Sequence, residues 1–165
     1  MPCPDVRHRP LWPAVLIGLA CLGGCTSPTT DEGLIDPTTV ERSSTPNDYL
    51  ACLASACQAE VDVPTQIFVA PATKLFQAWR DVIAAQPRTV IRNVDEKRLL
   101  LSAEESSPVF GLVDELALKV IPVSETTSTF ALYSRSRSGF FDFGANKSRV
   151  ADLIVDVRRH LGGSG

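Results

Sequence analysis

The side chains best suited to chemistry gather near the C-terminal end. Tyr133, Arg135 and Arg137 stand in one run, Asp142 and Asn146 follow shortly, and Asp114 lies upstream. Arginines two apart share one face of an extended strand. Two forked guanidinium groups beside the start of a helix suit a carboxylate or a phosphate. Phe130 and Leu132 alternate with Ala131 and Tyr133. If the first pair faces the core, Tyr133 and both arginines face the open side of a sheet. Three readings stand side by side: an anion-binding surface, a junction pinned by Asp142 or Asp114 pairing with the arginines, or a solvated strand edge carrying protective charge.

For catalysis the inventory is thin. Asp114 and Asp142 could serve as a carboxylate pair, which keeps a small hydrolase using the Arg/Asp cluster as the alternative function. Beyond the first ten residues His160 is the sole histidine. No glycine-rich phosphate loop, HExxH or GxSxG occurs. Neither a catalytic residue nor a cofactor is expected, and two cysteines without companions do not make a metal site. The formal net charge of −3 offers no global attraction for nucleic acid, so none is expected as a partner.

The start of the chain reads as an address. Arg7 and Arg9 precede an apolar run over 11–24, too short to span a bilayer comfortably but right for a signal-peptide core. It ends in Leu22-Gly23-Gly24-Cys25, which resembles a lipobox, so 1–24 is expected to be removed and Cys25 lipidated. Cys21 is the weaker alternative. Thr26 after the cysteine, instead of Asp, resembles lipoproteins sorted to an outer membrane. The expectation is a protein anchored in the bacterial envelope and facing the periplasm, with an envelope ligand or protein as its further partner. Removal of the leader leaves Cys52 and Cys57 as a pair in an oxidising compartment, which favours a disulfide. Residues 49–57 have helical propensity. Helical positions five apart lie about 8–9 Å apart at Cα, beyond the ~7 Å limit for a disulfide, so a bridge demands a turn there.

Residues 25–45, rich in Thr, Ser, Pro and Asp, read as a flexible tether. A single folded domain is expected over 46–161, with 162–165 as a tail. Residues 66–70 form a short strand candidate. Pro71 suits a first helical position, and Leu75, Phe76, Trp79, Val82 and Ile83 repeat at three and four as a core-facing stripe closed by Pro87. Strands are expected over 89–94, 98–105, 116–123 and 129–138, separated by turns. A last helix runs from about Lys147 with Asn146 as N-cap, carries the stripe Val150, Leu153, Ile154, Val157 and Leu161, and ends at Gly162-Gly163. The order strand, helix, four strands, helix implies an α+β domain. Its antiparallel sheet of about five strands has two helices on one face, analogous to helix-grip and TATA-box-binding-protein-like arrangements.

The junction also carries a family resemblance. Ser134-Arg135-Ser136-Arg137, Gly139, and Asp142-Phe143-Gly144 with Asn146 and Arg149 resemble the C-terminal signature of a bacterial family of unknown function, domain-of-unknown-function family 1499. Pro46-Asn47-Asp48-Tyr49-Leu50-Ala51-Cys52 and Ser107-Pro108-Val109-Phe110 with Asp114 add to the match, which extends from Pro46 to Leu161. Phe140-Phe141 departs from it, where a less apolar pair is expected. The resemblance implies no activity. The expected function is that of a non-enzymatic binding or structural module displayed from a membrane anchor.

Overall fold

The computed structural model describes residues 33–107 and 111–162. Residues 1–32, which include the expected leader over 1–24 with Cys3 and Cys21 and the expected lipidation site Cys25, the tripeptide Pro108-Val109-Phe110 and residues 163–165 lie outside them. Eight elements follow in order: β1 Asp48–Cys52, β2 Val63–Pro64, α1 Ala72–Ala85, β3 Thr89–Asp95, β4 Leu100–Ser106, β5 Val113–Pro122, β6 Ser128–Ser136 and α2 Ala145–Gly162. The strands form one six-stranded sheet, ordered β2-β1-β6-β5-β4-β3. It is antiparallel except where β2 runs parallel to β1. The fold is thus α+β, as the pattern implies, with six strands.

Registry decides which side chains meet. Phe130 faces Val120, Leu132 faces Leu118 and Ser134 faces Leu116, so these six point to one side of the sheet. There they bury the stripes of both helices: Leu75, Phe76, Trp79, Val82 and Ile83 from α1, and Val150, Leu153 and Val157 from α2. Trp79 meets Phe130 edge-on with centroids 4.7 Å apart. Pro71 sits just ahead of α1, one position earlier than expected, and has the extended backbone of a cap.

Two local readings change. Residues 49–52 are strand, not helix. Leu50 and Cys52 fall on one face and Tyr49 and Ala51 on the other, and pairing with β6 outweighs a helical propensity worth only tenths of a kcal/mol per residue. The turn demanded by a disulfide follows at 53–58, and Cys52 and Cys57 are bridged, with Cα atoms 6.4 Å apart. The strand expected over 66–70 is reduced to a single bridge between Phe68 and Ser128. Its neighbours Gln66, Ile67 and Val69 are exposed, and α1 begins at once.

The second face of the sheet is covered as well. Leu50, Cys52, Ala117, Ala131 and Tyr133 form a smaller apolar cluster under Ile35, Val40, Ala56, Ala59 and Val61. Lys119 pairs with Asp36, and Gln58 N–H donates to Thr38 C=O over 3.0 Å. Part of the stretch read as tether therefore packs on the sheet, and folded chain begins ahead of Pro46. Its polar composition conceals this because the segment contributes only a few apolar anchors, Ile35, Pro37 and Val40.

Candidate functional site

At the junction of β6 and α2 the polar side chains lock onto one another. Asp142 accepts from the backbone N–H groups of Gly144 (2.9 Å) and Asn146 (3.0 Å) and from Asn146 Nδ2 (2.8 Å). It, and not Asn146, caps α2; Asn146 lies within the first turn, fully buried. Burial pushes the Asp142 carboxyl up, but these donated hydrogen bonds outweigh it and hold the group below the usual carboxylate range. Asn146 Nδ2 also donates to Asn47 C=O (2.8 Å) and Ser136 Oγ (3.2 Å), and its Oδ1 accepts from Ser134 Oγ (2.6 Å). Asn47 Nδ2 in turn donates to Gly139 C=O (2.8 Å).

Arg149 closes this knot. It donates to Glu105 (2.7 Å), Asp114 (2.6 Å), Ser134 Oγ (2.9 Å) and Asn146 Oδ1 (2.8 Å). Burial disfavours its charge, but Glu105 and Asp114 more than compensate, and its pKa rises. Asp114 is therefore Arg149's partner, not that of Arg135 or Arg137. Pairing of Asp142 or Asp114 with those two arginines, the pinned-junction reading, does not occur. The junction is pinned by Arg149, which the sequence offers as a member of the family motif without a partner assigned to it.

The two strand arginines do face the other side of the sheet, with Tyr133. Arg135 Nε donates to Glu115 Oε2 (2.6 Å), and Arg137 Nε to Glu115 Oε1 (2.8 Å). Arg137 also pairs with Glu104, which Arg92 holds from the other side (2.7 Å). Tyr133 donates its hydroxyl to Asp48 (2.8 Å), whose carboxylate is gripped by Arg42. Burial, then the bond to Asp48, pushes the phenol above its ordinary range. Burial also pushes Asp48 and Glu115 up, yet their arginines win and both carboxyls end low. A hollow of about 220 Å³ lies over this array, with Ile35, Ala103 and Leu116 in its wall beside Glu104, Glu115, Arg135 and Arg137. Its cations are already matched by carboxylates, so an incoming anion must compete with internal partners.

A second concavity was not foreseen. Along α2, Lys147, Val150, Ala151, Ile154 and Arg158 follow the three-and-four spacing of one helical stripe. With Tyr49, Val63, Pro64, Thr65 and Phe130 they line a mainly apolar cleft of about 280 Å³ between α2 and the β1–β2 edge. Lys147 and Arg158, eleven residues apart, stand about 16 Å apart along the helix axis. Arg158 is bonded to Gln66 (3.1 Å). The sequence assigns Val150 and Ile154 to the core stripe and does not place Lys147, Ala151 or Arg158 beside a cleft, because the position of β2 depends on the disulfide-closed turn. Among the described residues no cluster of three His, Cys, Asp or Glu could hold a metal ion. No helix there is long and apolar enough to cross a membrane.

A family model described as a protein of unknown function, DUF1499, matches residues 34–157, beginning where the packed N-terminal segment begins. No curated protein matches the sequence significantly. Among solved structures, an NMR structure of a protein from Thermobifida fusca is 15% identical, with 46% of this chain and 72% of that one covered and a TM-score of 0.37. The Zhui aromatase/cyclase from a Streptomyces species is 14% identical over 58% and 90% of the two chains, at 0.40. A DUF4468 family protein from Bacteroides ovatus is 10% identical over 78% and 92%, at 0.33. At such scores none of the three bears on what this chain binds.

Proposed function

The chain belongs to the DUF1499 family of proteins of unknown function, and we propose that this member is a lipid-anchored envelope protein whose folded part binds a ligand and catalyses no reaction. The observation that carries this reading is the apolar cleft between α2 and the β1–β2 edge. Clefts of this kind, apolar with a few placed polar groups, are the usual form of a small-molecule site. Phe130 and Val150 supply a buried floor, and Lys147 and Arg158 stand at the two ends. Arg158 is already engaged by Gln66. Lys147, in the first turn of α2, is the better counter-charge, since the helix N-terminus adds to its field. A slender apolar body with an acidic group at the Lys147 end fits this arrangement.

The hydrolase alternative loses support from the pairing of its acids. Asp114 is spent on Arg149 and Asp142 on the cap of α2, and the carboxyl that a general acid needs raised is held low at Asp142. The anchor rests on Leu22-Gly23-Gly24-Cys25 behind its apolar run, and the outer membrane on Thr26.

The test is mass spectrometry of the chain isolated from the bacterial envelope. The intact mass is expected to show a Cys25 N-terminus carrying acyl chains, and the native mass a bound amphiphile. Calorimetry with dodecanoate should show binding that Ala151→Trp, filling the cleft, removes and Lys147→Glu weakens. Binding untouched by both changes sinks the cleft as the site, and an unmodified Cys25 sinks the anchor.

A further inference from the structure

Three phenylalanines stand in water on the loop between β6 and α2. Phe140 is 59% exposed, Phe141 60% and Phe143 98%. Solitary exposed apolar residues are ordinary, but a cluster of aromatic rings marks a contact surface. Phe140 and Phe141 lean edge-on against each other, centroids 4.7 Å apart.

The scaffold holds this loop in place. Asn47 anchors Gly139 from below and Asp142 ties down Gly144 and Asn146. Phe143 itself occupies the left-handed region at φ 53°, which is uncommon for a bulky side chain and persists where surrounding bonds enforce it. The conformation sends the ring outward although a residue with no aromatic surface would bear it at lower cost. The hydrogen-bonded knot at the junction therefore has a product: a tied-down, exposed aromatic tip.

We infer that Phe140, Phe141 and Phe143 dock the folded part onto the lipid bilayer that holds its anchor. This partner inference rests on the proposed acylation of Cys25. Two observations favour a bilayer over a protein. The tip is made of three ring systems standing in water, and phenylalanine is among the side chains that interfacial segments bury at the headgroup boundary. The chain between the proposed anchor and the folded part is also short. Cys25 is eight residues from Gly33, and eight residues reach at most about 28 Å. Gly33 lines the same hollow as Arg137, and Phe140 follows three residues after Arg137. A domain so closely tethered has its Phe tip within reach of the lipid surface, with Lys147 in the first turn of α2, four residues after Phe143, to meet phosphate groups.

The experiment uses the envelope-isolated chain reconstituted in vesicles of phosphatidylethanolamine and phosphatidylglycerol. Phe143→Trp places a reporter at the tip, and Glu125→Trp places one in the turn at the opposite end of β6. Trp79 is fully buried and supplies a constant background. Brominated lipids are expected to quench the Phe143→Trp emission at least twofold more than that of Glu125→Trp. Equal quenching in a chain whose mass shows the acyl groups overturns the docking while leaving the anchor intact. If the mass shows no acyl group, the anchor fails, and docking is judged by co-sedimentation with the same vesicles. There the change of all three phenylalanines to serine should weaken binding at least tenfold. Unchanged sedimentation overturns the inference, with Trp79 emission reporting that the variant is folded.

Discussion

Replacing Arg149 with Met should cost far more stability than replacing the strand arginines that the sequence draws attention to. Arg149 and its two carboxylate partners are largely enclosed, with side-chain exposures of 11% for Arg149, 10% for Asp114 and 23% for Glu105. Methionine keeps much of the aliphatic bulk but strands both carboxylates and leaves Ser134 Oγ and Asn146 Oδ1 with each other. Breaking a buried pair from one side typically costs about 3–5 kcal/mol, because the remaining charge has lost its partner in a poor solvent. The partial exposure of Glu105 places the expectation at about 3 kcal/mol. With a urea dependence of about 1.5 kcal/mol per molar for a domain of this size, the midpoint falls by about 2 M. Trp79, fully buried against Phe130, reports the transition by fluorescence. Arg135→Gln and Arg137→Gln, at sites 41% and 48% exposed, should each cost less than about 1 kcal/mol. Adding Asp114→Asn to Arg149→Met should recover part of the loss, since one stranded charge is removed. A loss below about 1 kcal/mol for Arg149→Met, or one no larger than for the strand arginines, refutes the assignment of the junction to Arg149.

Acid should unfold the domain through three other carboxylates. Asp48, Glu115 and Asp142 have folded pKa values below their ordinary ones, so their stabilisation is complete above the unfolded values near pH 4 and is lost as pH falls through the folded values. Urea midpoints are thus expected to stay level from neutral pH to about 5 and to drop below about 4; Asp142→Asn should lower the plateau by about 1 kcal/mol and flatten the acid limb. Reducing the Cys52–Cys57 bridge should cost about 2 kcal/mol in the chain-entropy model. Because the bridge closes the turn leading to β2, it should also speed amide exchange at Val63 and Thr65 and weaken dodecanoate binding, which a Cys57→Ser variant under oxidising conditions would reproduce.

The sequence by itself determined the elements with strong local signals. Helix α1 follows from the stripe Leu75, Phe76, Trp79, Val82 and Ile83 between two prolines, and the hairpins from β-branched runs broken by polar turns. Glycines and acids around 139–146 marked a junction, because only such residues bend the chain and cap a helix there. Pairing was another matter. That Asp114 belongs to Arg149, 35 residues away, depends on which strand lies beside which helix, and no local pattern encodes it. Helical propensity favoured 49–52 as helix, yet β6 captured it as a strand, since long-range burial outweighs a preference of tenths of a kcal/mol. Pro37 and Val40 looked like tether until a second face of the sheet existed for them to cover. The cleft arose in the same way: the stripe of α2 is legible, but whether Lys147, Ile154 and Arg158 face core or open space is decided by β2, two residues long and placed by a disulfide-closed turn. Spacing along the chain tells which residues share a face; only the assembled sheet tells what that face meets.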